Sequence, residues 1–134
     1  MSRLALLFVY GTLKQGSTVP AAQRLHEASS FVGPATVAGG LYMVAETYPG
    51  LVLDGSGVVH GELWRAPFTV FAFLDDYEGE EYERRLIDVD GEQAWTYVWL
   101  GAVASPDRIS DGRFKLAEER DSPAPGASAD PGVA

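Results

Sequence analysis

PFTVFAFLDDYEG, residues 67–79, combines an apolar run with an acidic end. Its apolar residues recur at the spacing of one buried helical face: Phe68, Val70, Phe71, Phe73 and Leu74. Pro67 suits the first turn of a helix, and Gly79 suits its end. The segment therefore predicts a helix over residues 67–77, with Glu78 at its C-terminus.

The preceding sequence predicts strands and one more helix. RLALLFVYG, residues 3–11, is a continuous apolar run that ends in glycine, as a buried strand does. PAAQRLHEASS, residues 20–30, predicts a short helix starting at Pro20. Residues 31–66 are apolar stretches divided by glycines, with a turn expected at Pro49-Gly50, and this texture is typical of short bent strands.

The segment after the acidic helix end predicts a β-hairpin. YERRLIDV and AWTYVWL flank the pair Asp90-Gly91, a common turn signal, and Trp95, Tyr97 and Trp99 occupy alternating positions. These elements together indicate an α+β protein. We expect a small mixed β-barrel or curled sheet with a few short flanking helices.

The length and the C-terminal composition indicate one domain followed by a tail. A chain of 134 residues is long enough for one real core and too short for two comfortable domains. From Ala117 the sequence AEERDSPAPGASADPGVA offers little apolar surface to offset the entropy of ordering. We expect a domain over residues 1–116 and a flexible tail over residues 117–134.

Charge and composition narrow the possible partners. A net charge of −9 repels polyanions, so neither DNA nor RNA is expected to bind. The absence of cysteine excludes a disulfide framework, a thiolate zinc site and a cysteine nucleophile, and it fits a cytoplasmic protein. The N-terminal apolar run is too short for a membrane span and lacks a signal-peptide cleavage pattern. The oligomeric state stays open.

The acidic residues that follow the predicted helix raise two interpretations. Nine of the 19 acidic residues lie between positions 75 and 92, and such a run is usually a solvated face. Glu78 differs because it would meet the negative end of the helix dipole, with Asp75 and Asp76 adding like charge. Partial burial would raise its pKa further. A carboxylate with a raised pKa is a better general base near neutral pH.

VYGTLKQG, residues 9–16, is a second candidate site. A buried strand runs into Gly11, a small hydroxyl residue and Gly16, so successive N–H groups can form an anion-binding nest, although the same pattern also fits a plain turn. The Walker spacing of a phosphate loop is missing. His26 and His60 lack metal-ligand spacing, so no metal site is expected, and no Ser-His-Asp triad is readable.

The ordered segments VYGTLKQG, GGLYMVAETYPGLV, HGELW and FLDDYEGEEYERR resemble the γ-glutamylcyclotransferase-like family, particularly its small bacterial members and the γ-glutamylamine cyclotransferases. The resemblance covers roughly residues 6–100. It implies a small mixed β-barrel with flanking helices, which agrees with the pattern of elements. It also implies an enzyme that works without a cofactor.

The resemblance also implies roles for individual residues. Substrate would bind to the backbone of Tyr10, Gly11, Thr12 and Leu13, and Glu78 in LDDYEG would be the catalytic acid and base. Tyr82 would correspond to a tyrosine that assists substrate binding, and Arg84 stands in the family's Tyr-x-Arg context. This chain departs from many relatives because no asparagine follows the loop, which bears on loop geometry and substrate choice.

The implied reaction is intramolecular aminolysis. The α-amino group of a γ-glutamyl compound attacks its own γ-carbonyl and releases 5-oxoproline with an amine or an amino acid. Alternatives are a γ-glutamyl cap on a biosynthetic intermediate or a protein-derived crosslink as substrate, or a non-catalytic small-ligand-binding barrel of the same fold. A protein-interaction scaffold using its acidic surface would have no enclosed pocket.

Overall fold

The computed structural model describes residues 3–116, which form seven strands, two α-helices and one short 3₁₀ turn. In chain order these are β1 (Leu4–Val9), α1 (Pro20–Ala28), β2 (Ser30–Ala38), β3 (Gly40–Met43), β4 (Pro49–Val52), β5 (Val58–Pro67), α2 (Val70–Glu78), β6 (Tyr82–Val89), β7 (Glu92–Trp99) and the 3₁₀ turn (Ser105–Asp107). Of the helices within these residues, none is long and apolar enough to cross a membrane. The tail predicted over residues 117–134 lies outside the described residues.

Five strands form one mixed sheet in the order β2-β5-β1-β7-β6, and β3 pairs with β4 in a separate two-stranded sheet. Neighbouring strands are antiparallel except for β1 and β7, which are parallel at the pair Leu7 and Trp95. The edge strands β2 and β6 approach each other but do not pair. The α+β class is therefore confirmed, whereas a closed barrel is not, because the sheet stays open between these edges.

The helix predicted over residues 67–77 forms, with a later start. α2 begins at Val70 because Pro67 is the last residue of β5, a strand end where a missing N–H costs little. Gly79 ends the helix with a φ of 82°, in the left-handed region that favours glycine. Glu78 is therefore the last helical residue.

The first helix and the hairpin also form. α1 begins at Pro20, as predicted, and ends at Ala28 rather than near residue 30, because Ser30 already belongs to β2. The turn between β6 and β7 has positive φ at both central residues, 51° at Asp90 and 87° at Gly91. This is the geometry of a two-residue hairpin turn that matches strand twist.

The turn predicted at Pro49-Gly50 is wrong. Both residues lie in β4, where Pro49 pairs with Met43 and Gly50 pairs with Tyr42. Close packing requires the glycine, because a Cβ at Gly50 would lie 2.7 Å from the Cβ of Trp99. β4 therefore packs tightly against β7.

The sheet separates two hydrophobic clusters. Along β1, Leu7 and Val9 face the cluster that includes the helices, and Phe8 faces the other, because successive strand side chains point to opposite faces. Phe114 and Leu116 are 2% and 4% exposed and belong to the second cluster. The chain is thus packed into the core up to the last described residue.

Candidate active site

The loop that follows β1 forms one wall of a cavity. Its residues Tyr10, Gly11, Thr12 and Leu13 are all buried. The chain turns here because the N–H of Lys14 donates to the Gly11 carbonyl at 3.1 Å. In the described part of the chain, the N–H groups of Thr12 and Leu13 donate to no protein acceptor. Buried backbone N–H groups are nearly always paired, so these two can serve an acceptor on a bound molecule.

Glu78 lines the same cavity from the end of α2. The cavity encloses about 270 Å³ including its open mouth, and its walls are Phe8, Val9, Tyr10, Gly11, Thr12, Leu13, Pro49, Glu78 and Tyr97. The structure therefore brings Glu78 together with the loop residues selected from the sequence, whereas Tyr82 is not a wall residue.

Glu78 is the one carboxylate among these wall residues. Burial raises its pKa from 4.5 to about 8, and the Asp75 carboxylate adds to the rise. Asp76, expected to contribute like charge, is exposed and is not one of the causes. The Glu78 side chain has no hydrogen bond or ion pair within the described residues. Such a carboxyl group can exchange a proton near neutral pH.

Two tyrosine hydroxyls hold β4 beside the cavity. The Tyr10 hydroxyl donates to the Tyr97 carbonyl at 2.7 Å and accepts from the Leu51 N–H at 3.3 Å. The Tyr82 hydroxyl donates to the Pro49 carbonyl at 2.7 Å. Burial is the first cause of a raised pKa at both tyrosines, so both hydroxyls keep their protons. Tyr82 therefore supports a wall residue from behind.

Asp75 is fixed next to the catalytic candidate by two partners. Its Oδ1 accepts from the Tyr97 hydroxyl at 2.6 Å, and its two oxygens accept from Arg84 at 2.9 and 3.1 Å. The Arg84 guanidinium also lies 4.3 Å from the ring centre of Phe71. Asp75 is exposed, as expected of the acidic run, and these bonds hold its charge close to Glu78.

Two site residues were not selected from the sequence. Tyr97 forms part of the cavity wall, and the Tyr77 hydroxyl lies 2.8 Å from Oγ1 of Thr12. Tyr77 directly precedes Glu78 in LDDYEG, so adjacency to that motif was the signal that could have found it. For Tyr97 the only signal was its place in an alternating aromatic strand.

The histidines lie apart, His26 in α1 and His60 in β5. Across residues 3–116, no group of three or more His, Cys, Asp or Glu side chains is arranged to hold a metal ion. The cavity walls carry four residues with polar side chains, Tyr10, Thr12, Glu78 and Tyr97.

The family model described as gamma-glutamyl cyclotransferase, AIG2-like, matches residues 7–116, which include the loop and the end of α2. The chain belongs to this family. The γ-glutamylcyclotransferase family protein YtfP of Escherichia coli K12 is 37% identical over 112 residues, which cover 79% of this chain and 92% of that protein. The family protein ytfP of Citrobacter rodentium is 39% identical over 69 residues, 50% of this chain and 60% of that one.

Solved structures of other proteins share the fold of this γ-glutamylcyclotransferase family member. An AIG2-like protein from Mus musculus superposes with a TM-score of 0.63 at 26% identity, covering 97% of each chain. The protein PH0828 of Pyrococcus horikoshii has a TM-score of 0.70 at 22% identity, covering 88% of this chain and 94% of that one, and this likeness concerns the fold alone.

Proposed function

We propose that this family member is a γ-glutamyl cyclotransferase that releases 5-oxoproline and an amine or amino acid from a γ-glutamyl compound. One observation carries the proposal: the half-buried Glu78 lines a small cavity together with Thr12 and Leu13, whose N–H groups have no acceptor in the described part of the chain. This reaction requires proton transfer and stabilisation of an oxyanion.

The reaction forms a bond between the substrate's α-nitrogen and its γ-carbonyl carbon, and it breaks the bond from that carbon to the leaving nitrogen. Two protons pass from the α-nitrogen to the released amine, and no electrons are transferred. Glu78 would take a proton from the attacking nitrogen and return one to the leaving nitrogen. Because the nucleophile is tethered, effective molarities on the order of 10⁵ M are accessible once the arm is folded.

The N–H groups of Thr12 and Leu13 would bind substrate oxygens. Donors that are already fixed need no reorganisation when negative charge develops on the γ-carbonyl oxygen. The Glu78 carboxyl, with a pKa of about 8, starts mostly protonated at neutral pH. A bound α-ammonium group would lower this pKa, because an opposite charge favours the ionised carboxylate. Substrate binding would thereby favour the ionised form of Glu78 that acts as the base.

The alternatives differ in the molecule that fills the cavity. A γ-glutamyl cap on a biosynthetic intermediate, or a protein-derived crosslink, would use the same site with another leaving group. A non-catalytic binder of the same fold would bind γ-glutamyl compounds without consuming them. The acidic-scaffold interpretation is disfavoured because it does not account for the partly open cavity that Glu78 lines.

A substrate screen tests this proposal. The full chain is incubated with γ-glutamyl amines, γ-glutamyl dipeptides and a γ-glutamyl-lysine crosslink, and 5-oxoproline is measured by mass spectrometry. We expect enzyme-dependent release from at least one class. Binding of these compounds in calorimetry without any release of 5-oxoproline would contradict the enzyme and support the binder.

A further inference from the structure

Two side chains hold the loop from its far side. His26 Nε2 lies 2.7 Å from the Leu13 carbonyl oxygen, and since a carbonyl only accepts, Nε2 carries the proton of this bond. Oε1 of Glu62 accepts from the N–H of Gln15 at 2.9 Å. One carbonyl and one N–H on either side of Lys14 are therefore bound by side chains from α1 and β5.

Trp64 connects these two side chains. Its ring is stacked on the His26 ring, with centroids 4.3 Å apart and planes 7° apart. Its Nε1 donates to the same Oε1 of Glu62 at 3.1 Å. Trp64 is only 4% exposed and belongs to the core, so it is a rigid support for both partners. We refer to His26, Trp64 and Glu62 as the loop bracket.

The bracket is important because the loop contains two backbone N–H groups without an acceptor in the described part of the chain. The N–H groups of Thr12 and Leu13 are buried without an acceptor in the described part of the chain, an arrangement that a mobile loop would relieve by rotating its peptides. His26 restrains the neighbouring peptide, because it binds the Leu13 carbonyl, which belongs to the peptide directly after the two that carry the unpaired N–H groups. Fixed donors are what an oxyanion site requires.

We propose that His26, Trp64 and Glu62 are positioning residues that hold the N–H groups of Thr12 and Leu13 in place for substrate. None of the three lines the cavity, so each acts through the loop. This inference rests on the proposed function and adds to it a support that the sequence segment VYGTLKQG does not contain.

Three variants separate the hydrogen bond from packing. His26→Phe keeps a flat ring against Trp64 and loses the donor. His26→Gln keeps a donor at nearly the same distance from Cα and loses the ring. His60→Phe is the matched control, because it changes the other histidine, which lies in β5 outside the bracket.

The first readout is amide hydrogen exchange of residues 12–15 in the full chain, measured by NMR. We expect exchange in His26→Phe to be faster by roughly tenfold, recovery in His26→Gln, and no change in His60→Phe. The second readout is 5-oxoproline release, where kcat/KM should fall by roughly fivefold to tenfold in His26→Phe, the range of one lost hydrogen bond, and recover in His26→Gln.

The outcomes distinguish this inference from the proposed function. If the wild-type chain releases no 5-oxoproline, the proposed function is refuted. Hydrogen exchange alone then tests whether the bracket holds the loop. Unchanged exchange in His26→Phe overturns the bracket whether or not the wild-type chain is active. An active wild-type chain whose kcat/KM is unaltered in His26→Phe, or equally reduced in His26→Phe and His26→Gln, overturns the positioning role of the donor.

Discussion

The hydroxyl groups of Thr12 and Tyr77 lie 2.8 Å apart, and their hydrogen bond joins the loop after β1 to the helix that ends at Glu78. The two halves of the cavity come from segments 65 residues apart in the chain. This bond is therefore a direct link between the proposed oxygen-binding groups and the proposed base.

Tyr77→Phe removes the hydroxyl group that makes this link and keeps the aromatic ring. We expect kcat/KM to fall by about threefold to tenfold, because a hydrogen bond contributes about 1 kcal/mol net. Thr12→Ala removes the same bond from the other side. If the bond is the shared cause, the double variant loses less than the sum of the two single losses in free energy. Strict additivity would contradict the link.

The pH dependence of kcat/KM should follow Glu78. Its pKa of about 8 means that the base form increases as the pH rises towards 8. Because kcat/KM reports the free enzyme, it should rise by about tenfold per unit below pH 7 and level off above pH 8. Steady-state rates from pH 5 to pH 9.5 test this. A plateau that begins near pH 5 would contradict a raised pKa.

Asp75→Asn identifies the group behind that profile. Removing the like charge should lower the pKa of Glu78 and shift the midpoint to lower pH, but not to the ordinary value, because burial is the larger cause. Asn keeps an oxygen for Tyr97 and Arg84. Asp76→Asn is the control, an exposed neighbour that should leave the midpoint unchanged. A midpoint unmoved by Asp75→Asn would assign the profile to the substrate's ammonium group.

The local elements of the fold could be predicted because their signals are short-range. The helix end at Gly79 and the turn at Asp90-Gly91 depend on backbone conformations that glycine adopts easily, and both form as expected. The approach of Glu78 to the loop was expected from the family resemblance. The boundary of α2 was misplaced because pairing with β1 retains Pro67 in β5.

The features that could not be predicted from the sequence depend on contacts between distant segments. Pro49-Gly50 has the composition of a turn, yet packing against Trp99 places it in a strand. Nothing near Tyr82 in the sequence indicates that its hydroxyl binds the carbonyl of Pro49, 33 positions away. The same holds for the bond from His26 to Leu13. Such partners become visible only when the sheet order is known.

Two truncations test the domain boundary at residue 116. A chain that stops after Leu116 should keep its stability within about 1 kcal/mol, because few buried contacts are expected to be lost. A chain that stops after Gly112 also loses Phe114 and Leu116, both buried, and should be destabilised by at least roughly 3 kcal/mol. Urea unfolding measures both.

The chain that stops after Gly112 also tests whether the last described residues support the loop. The Lys14 ammonium donates to the Phe114 carbonyl at 2.6 Å, so the last described residues contact the proposed substrate loop.

If removal of residues 117–134 alone unfolds the domain or changes substrate preference, the predicted tail is a structural strap or a lid, and the boundary is wrong.

Glu78→Gln tests the central claim while keeping the shape of the side chain. Because the folded-state pKa of Glu78 is raised from 4.5 to about 8, its contribution to stability is fully present below pH 4.5 and is lost as the pH rises through 8. The variant should therefore melt with the wild type at about pH 4, above it at pH 6 and further above it at pH 9. These melting curves show whether the variant is folded under the assay conditions, so that a loss of activity is not mistaken for unfolding.

The most direct measurement is the rate of 5-oxoproline release by the wild type and Glu78→Gln at pH 8, on the best substrate from the screen. We expect the variant to be at least roughly 10²-fold slower, since the amide can neither take nor return the proton. Equal rates in the two proteins would contradict the account and place Glu78 outside the chemistry.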